Sequence, residues 1–243
     1  MSRLRSSLFL LLLVLWTLLL APTIPYYALR NDPKTTRRFS RFWADGVLAI
    51  LRLVGVSCRV IGTENRPAGP VLYIANHQST FETIAAATLV PDVAIVLKKE
   101  LYRIPVFGWF LKASPMIAID RAGGGAAVKQ MFREGRAAAA EGRSLLIFPE
   151  GTRQPVDTRA ELQRGVLLLY KALGLPVVPM VNNAGLFWPA RSFTIHPGEI
   201  TVSLLPPIPP GLPDAEFMAR ITMAIYDERD RLVARAREEA SAA

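Results

Sequence analysis

The amino-acid sequence predicts an α/β fold, a largely parallel mixed sheet flanked by helices, with a membrane-binding helical segment at its N-terminus. Three observations carry this prediction. From Val56 onward, short apolar runs alternate with amphipathic stretches, the pattern of strands alternating with helices. Ahead of Val56, a leucine-rich run lies next to a basic amphipathic stretch. The length, 243 residues, suits one α/β domain with an appendage. The expected division is an N-terminal membrane-associated helical hairpin over 1–56 and an α/β domain over 57–243.

Residues 8–20 are predominantly leucine. At about 1.5 Å per residue that run falls short of the ~30 Å hydrocarbon core of a bilayer. Extending it from Ser6 through Leu29 reaches the required length, although Pro22 and Pro25 interrupt a regular helix. The small-residue site that a cleaved signal peptide needs is poorly formed at Leu20-Ala21-Pro22-Thr23. A spanning helix and a helix dipping into one leaflet both stay open. Residues 35–56 carry Arg37, Arg38, Arg41 and Arg52 among Phe39, Phe42, Trp43, Val47 and Leu51, a basic amphipathic helix suited to a membrane interface. The alternative is a helix packed on the protein's own core. The flanking basic residues place 30–41 on the cytoplasmic face of an inner membrane.

In the remainder of the chain, strands are expected at 58–62, 71–75, 93–97, 116–119, 144–148, 177–181 and 200–205. Helices are expected at 79–89, 104–112, 126–140, 161–173 and 214–240. The proline cluster at 206–210 ends the sheet, and the charged C-terminal helix packs on its surface.

Hydrophobic residues make up 51% of the chain, and the formal net charge is +9. The pI is near 10.1 and mean hydropathy +0.26. This balance favours anionic lipid, phosphorylated substrates or nucleic acid as partners, and no nucleic-acid motif accompanies it. The single cysteine, Cys58, excludes an intrachain disulfide and reads as a small buried residue. No G-x-S-x-G elbow and no phosphate-binding G-x-x-x-x-G-K-[ST] occur, and two distant histidines make a metal site improbable.

The chemistry gathers where strands end. After 71–75 comes Asn76-His77-Gln78-Ser79-Thr80-Phe81-Glu82, one of only two histidines with a carboxylate five residues on. Imidazole moves protons near neutral pH, and an acidic neighbour fixes its tautomer. Ser79-Thr80-Phe81-Glu82 also matches a capping box, in which Glu82 merely satisfies a backbone amide. After 93–97 come Lys98 and Lys99; after 116–119, Asp120 and Arg121; after 144–148, Pro149-Glu150-Gly151-Thr152-Arg153. Gly151 lets backbone approach an anion, Thr152 offers donors and Arg153 a bidentate fork. The alternatives are an ordinary turn and solvated basic residues. If these strands are parallel, their carboxyl ends share one edge of the sheet, where open α/β sheets bind ligands. Residues 104–110 are bulky and apolar, suited to an acyl-chain groove aided by Phe187 and Trp188, to the bilayer, or to core packing.

These motifs resemble those of the glycerolipid acyltransferases. Asn76 to Glu82 resembles the first motif, with Glu82 in place of the usual aspartate. Lys98-Lys99-Glu100-Leu101, Ile104-Pro105, Phe107-Gly108-Trp109 and Ile119-Asp120-Arg121 resemble the second. Phe148-Pro149-Glu150-Gly151-Thr152-Arg153 matches the third, with Gln154 where many members have serine. Val178-Pro179-Met180 and Asn182-Asn183 resemble the fourth. The resemblance implies a glycerol-3-phosphate acyltransferase-like fold and transfer of a fatty acyl group from acyl-CoA or acyl carrier protein to the sn-2 hydroxyl of 1-acylglycerol-3-phosphate. It implies His77 as base, Glu82 as its orienting carboxylate, Glu150, Gly151, Thr152 and Arg153 as holding the acceptor's glycerol phosphate, and Lys98 and Arg121 as adding positive charge. The thioester is a substrate, so no cofactor or metal is expected. Another lysolipid acceptor, or a catalytically silent protein that binds anionic lipid, are the competing readings.

Overall fold

The computed structural model describes residues 2–104, 107–120, 123–190 and 192–242. Among them, seven strands form one sheet in the order β1-β7-β6-β2-β5-β3-β4. They are β1 (Val56–Ile61), β2 (Leu72–Ala75), β3 (Ala94–Lys98), β4 (Ile117–Ile119), β5 (Leu145–Ile147), β6 (Val177–Asn182) and β7 (Gly198–Leu204). Strands β6, β2, β5, β3 and β4 are mutually parallel, as are β1 and β7; the antiparallel joint falls between β6 and β7.

The sheet's central strands are buried on both faces, which is why they read as continuous apolar runs. In β2, Tyr73 and Ala75 point to one core layer and Leu72 and Ile74 to the other, by the two-residue period of a strand. The first layer lies under α3 (Pro33–Leu53) and α4 (Phe81–Leu89), the second under α6 (Gly124–Ala140), α7 (Gly165–Leu173) and α8 (Asp214–Ser241). A third small cluster of Leu97, Leu111 and Ala118 seats α5 (Phe107–Ala113). In α8, Phe217, Ile221, Ile225 and Leu232 are buried at helical spacing, and Phe217 stacks on Tyr170 with ring centroids 3.8 Å apart.

Helix α7 begins at Gly165 rather than near 161, and the amide of Gln163 in the preceding loop donates to the carbonyl of Pro149 at 2.8 Å. Cys58 is exposed, a correction to the buried reading. It lies on β1, the edge strand, of which only Val56 is buried.

At the N-terminus, α1 (Ser2–Leu20) and α2 (Ile24–Arg30) are joined by a 3-10 turn at Ala21–Thr23. The prolines sit in first turns, where the missing N–H has no helical partner to lose. Residues Arg3–Arg30 form a stretch of 28 residues whose most apolar 18-residue window has a mean hydropathy of 2.4, long and apolar enough to cross a membrane. Helix α3 buries Thr36, Phe39, Ala44, Val47 and Leu51, so its apolar face packs on the protein's own core. Its outward side carries the exposed Arg38, Arg41 and Phe42. Helix α1 is stapled along α3: Trp16 Nε1 donates to the carbonyl of Trp43 at 3.0 Å, and Trp43 Nε1 donates to Thr17 Oγ1 at 3.1 Å. Gly46 makes this approach possible, since a Cβ there would lie 2.4 Å from the Trp16 ring.

Candidate active site

His77 lies two residues past the end of β2 and Glu82 occupies the first turn of α4, so one tight turn brings imidazole and carboxylate together. His77 Nδ1 lies 3.4 Å from Glu82 Oε2. The two groups face each other at that distance, and Nδ1 makes no hydrogen bond among the described residues. Glu82 is 3% exposed, and its carboxylate is fixed by the amides of Gln78 at 3.0 Å and Ser79 at 2.9 Å. The carboxylate satisfies backbone amides and also faces the ring. Capping of α4 itself falls to Ser79, whose Oγ accepts from the amide of Phe81 at 3.1 Å. The His77 ring stacks on Phe148 at a centroid separation of 4.2 Å.

Strand β5 lies next to β2, which puts the turn after it against the same site. Glu150 Oε1 accepts from the amide of His77 at 3.2 Å, and the carbonyl of His77 accepts from the amide of Gln154 at 2.8 Å. Burial pushes the Glu150 carboxyl up to about 7, with a smaller push from Glu82. Its Oε2 is buried with no hydrogen-bond partner among the described residues, and it can accept or, when protonated, donate. Gly151 adopts φ 75°, a left-handed turn that glycine takes without strain. Thr152 is exposed, and Arg153 is half-buried with no ion pair or hydrogen bond among the described residues. Lys98 ends β3, one strand beyond β5, and is exposed. Arg121 lies outside the described residues. The strand ends carrying His77, Lys98 and Glu150 thus share one edge of the parallel part of the sheet. Among the described residues, no three side chains gather that could hold a metal ion.

Sequence reasoning left Asn76 and Asn182 without a role, and the fold assigns them one. Asn76 Nδ2 donates to the carbonyl of Asn182 at 2.9 Å, and Asn76 Oδ1 accepts from the amide of Asn182 at 2.9 Å. This buried pair locks the ends of β2 and β6 together immediately before His77. The signal in the sequence was polar side chains directly after two apolar strands, positions where a buried amide needs a partner.

A cavity of about 160 Å³ opens beside the first turns of α4. Its lining includes Phe39, Trp43, Thr83, Leu97, Phe107 and Phe110, from α3, α4, β3 and α5. Phe107 and Phe110 therefore face it, whereas Trp109, Phe187 and Trp188 do not line it. Trp188 packs instead against Phe9 of α1, with centroids 5.1 Å apart.

An imidazole and a carboxylate at the carboxyl edge of a parallel sheet, with a glycine turn on the neighbouring strand, mark the chain as an open α/β protein with polar groups gathered where such sheets bind ligands. The chain belongs to the acyltransferase family, whose model matches residues 57–183. A 1-acyl-sn-glycerol-3-phosphate acyltransferase of Pseudomonas aeruginosa is 38% identical over 188 residues, 77% of this chain and 71% of that protein. The enzyme of the same description from Escherichia coli is 30% identical over 190 residues, 73% of this chain and 71% of the other. A plant relative from Limnanthes alba is 32% identical over 161 residues, which span 65% of this chain and 57% of the plant protein. The crystal structure of the 1-acyl-sn-glycerophosphate (LPA) acyltransferase of Thermotoga maritima superposes with a TM-score of 0.73. It covers 96% of this chain and 98% of its own at 21% identity, a likeness of fold.

Proposed function

We propose that this protein transfers a fatty acyl group from a thioester, of coenzyme A or acyl carrier protein, to the sn-2 hydroxyl of 1-acylglycerol-3-phosphate, giving phosphatidic acid. The observation that carries this reading is the His77–Glu82 pair on a strand end beside the Glu150–Arg153 turn, in a chain similar to proteins named for that reaction. With Nδ1 turned toward Glu82, Nε2 of His77 is left to take the hydroxyl proton. The freed oxygen attacks the thioester carbonyl, the C–S bond breaks, and the departing thiolate takes the proton from the imidazolium. Glu82 stabilises that imidazolium while it lasts. A thiolate leaves readily, so the chemistry requires no enzyme nucleophile.

Arg153, Lys98 and Arg121 supply positive charge for the acceptor's phosphate, with Gly151 and Thr152 offering backbone and hydroxyl donors. Glu150 faces the glycerol portion. The cavity beside α4 takes the acyl chain, whose carbonyl end then lies next to the Glu82 turn.

Acceptor and product are both lipids, which fits attachment to a bilayer. Leu4, Leu11, Leu18 and Leu19 of α1 are more than half exposed, and α3 adds the outward Arg38 and Arg41. Because α1 is stapled to α3 and α3 to the core, a helix lying in one leaflet fits this structure without unpacking. We read the site as facing the cytoplasmic side of the inner membrane, where basic residues meet anionic lipid.

The test is thiol release by detergent-solubilised protein given acyl-CoA and 1-acylglycerol-3-phosphate, with the lipid product identified by mass spectrometry. Wild type is expected to form phosphatidic acid, and His77→Ala to lose about a hundred- to ten-thousandfold in rate. Thiol release without a new lipid would mean hydrolysis instead. Activity on other lysolipids alone would change the acceptor, and equal activity in His77→Ala would remove the base from the scheme.

A further inference from the structure

The segment 149–164, between β5 and α7, forms a loop closed at its neck by the 2.8 Å hydrogen bond from the Gln163 amide to the Pro149 carbonyl. Compact surface loops of this length with close ends are frequently functional. Its near half leans on the active-site turn: the Gln154 amide donates to the His77 carbonyl, and Gln78 Nε2 donates to the carbonyl of Val156 at 3.3 Å. Its far half is held by α8. Arg229 Nη1 donates to the carbonyl of Thr158 at 2.5 Å, and Tyr226 Oη donates to the carbonyl of Ala160 at 2.6 Å. Arg159 pairs with Asp230 and Asp227, and Arg237 with Asp157.

These ties are not equivalent. The Arg159 and Arg237 pairs are exposed on both sides, where an ion pair is worth about 0–1 kcal/mol. Arg229 and Tyr226 are 2% and 1% exposed, so their donors are largely screened from water and are more costly to leave unpaired than those of the surface pairs. The Arg229 guanidinium also lies over the Tyr226 ring, 4.8 Å from its centroid. A buried arginine demands partners for its donors, and here the loop carbonyl and Asp230 supply them.

The geometry points to Tyr226 and Arg229 as positioning residues for the acceptor half of the site. By holding the carbonyls of Ala160 and Thr158, they fix the loop whose first residues are Glu150, Gly151, Thr152 and Arg153. Both lie in α8, beyond the residues 57–183 that the family model matches. The link to the site is also electrostatic, since Arg229 works against the burial that raises Glu150. Burial and the Glu150 carboxylate in turn push the Tyr226 phenol up to about 12, so its hydroxyl stays a donor at any working pH. This inference rests on the acceptor binding at 150–153 proposed above.

The test uses Tyr226→Phe, which removes one hydroxyl and keeps the ring, and Arg229→Lys, which keeps the charge and loses the fork. With full-length protein in detergent, each is expected to raise the KM for 1-acylglycerol-3-phosphate about three- to tenfold, the worth of one hydrogen bond. The KM for acyl-CoA and kcat should stay within about twofold. A purely structural role predicts a lower melting temperature with the acceptor KM unchanged, or both KM values rising together; either result overturns the proposal. Hydrogen exchange supplies a readout independent of substrate: Tyr226→Phe should speed exchange at the Gln154 amide and leave the amides of α7 unchanged. Unchanged exchange at Gln154 would overturn the clamp. Failure of wild type to acylate the lysolipid would instead sink the acceptor reading, with the exchange experiment still judging the clamp.

Discussion

Glu150 is the residue whose surroundings work hardest against its ordinary chemistry. It is 6% exposed, and one of its oxygens has no partner. Its folded pKa of about 7 stands above the ordinary carboxylate value of 4.5. Below pH 4.5 both folded and unfolded chains hold the proton, and the group adds no pH-dependent penalty. As pH rises from 4.5 to about 7, the unfolded chain ionises first, so folding stability falls across that window and levels off above it. At about 1.4 kcal/mol per pH unit, the loss is on the order of 3 kcal/mol. Glu150→Gln removes the slope while keeping an acceptor for the His77 amide. Its melting temperature should match wild type near pH 5 and exceed it by several degrees at pH 8, measured by differential scanning fluorimetry. A parallel fall of both proteins with pH would show that another group dominates.

Among the elements, α5 and its neighbours decide what the cavity admits. Phe107 and Phe110 close it from α5, Phe39 and Trp43 from α3, and Leu97 from β3. Phe39 and Phe110 stack at a centroid distance of 5.4 Å, which braces α3 against α5 across that wall. A wall of packed aromatics does not yield to an extra methylene, since overpacking costs roughly 1–3 kcal/mol. Phe107→Ala should enlarge the cavity and shift preference toward longer acyl chains. Competition between acyl-CoA species of different length, read as product ratios by mass spectrometry, checks this. An unchanged profile would place the acyl chain elsewhere.

The whole molecule combines a net charge of +9 with a long apolar helix, two attractions that salt separates. Charge attraction to anionic lipid fades as the Debye length falls to about 3 Å near 1 M salt, whereas apolar burial does not. Flotation with vesicles of anionic lipid should therefore persist at ~1 M salt and end only in detergent. Release by salt alone would mean that the exposed leucines of α1 stay out of the bilayer and that the arginines of α3 do the holding.

By itself the sequence determined the alternation of strands and helices, the two histidine and glycine turns at strand ends, and the apolar N-terminus. Each is a local pattern: a two-residue or 3.6-residue period, a capping residue, a leucine-rich apolar run. Even the family resemblance rested on short runs such as 76–82 and 148–153. The strand order was not local, and only the fold put β2 beside both β5 and β6, so that His77 meets Glu150 and Asn76 meets Asn182. Pairings 73 and 106 residues apart leave no periodic trace in a chain. For the same reason the sequence put Cys58 inside and left open where the arginine-rich helix lay. An edge strand and a central one read alike in sequence, and the face of a helix shows its partner only once the partner is in place. The hold of α8 on the loop after Arg153 came from the tertiary structure as well: a tyrosine and an arginine on a charged helix look like surface residues until the carbonyls they bind are brought beneath them.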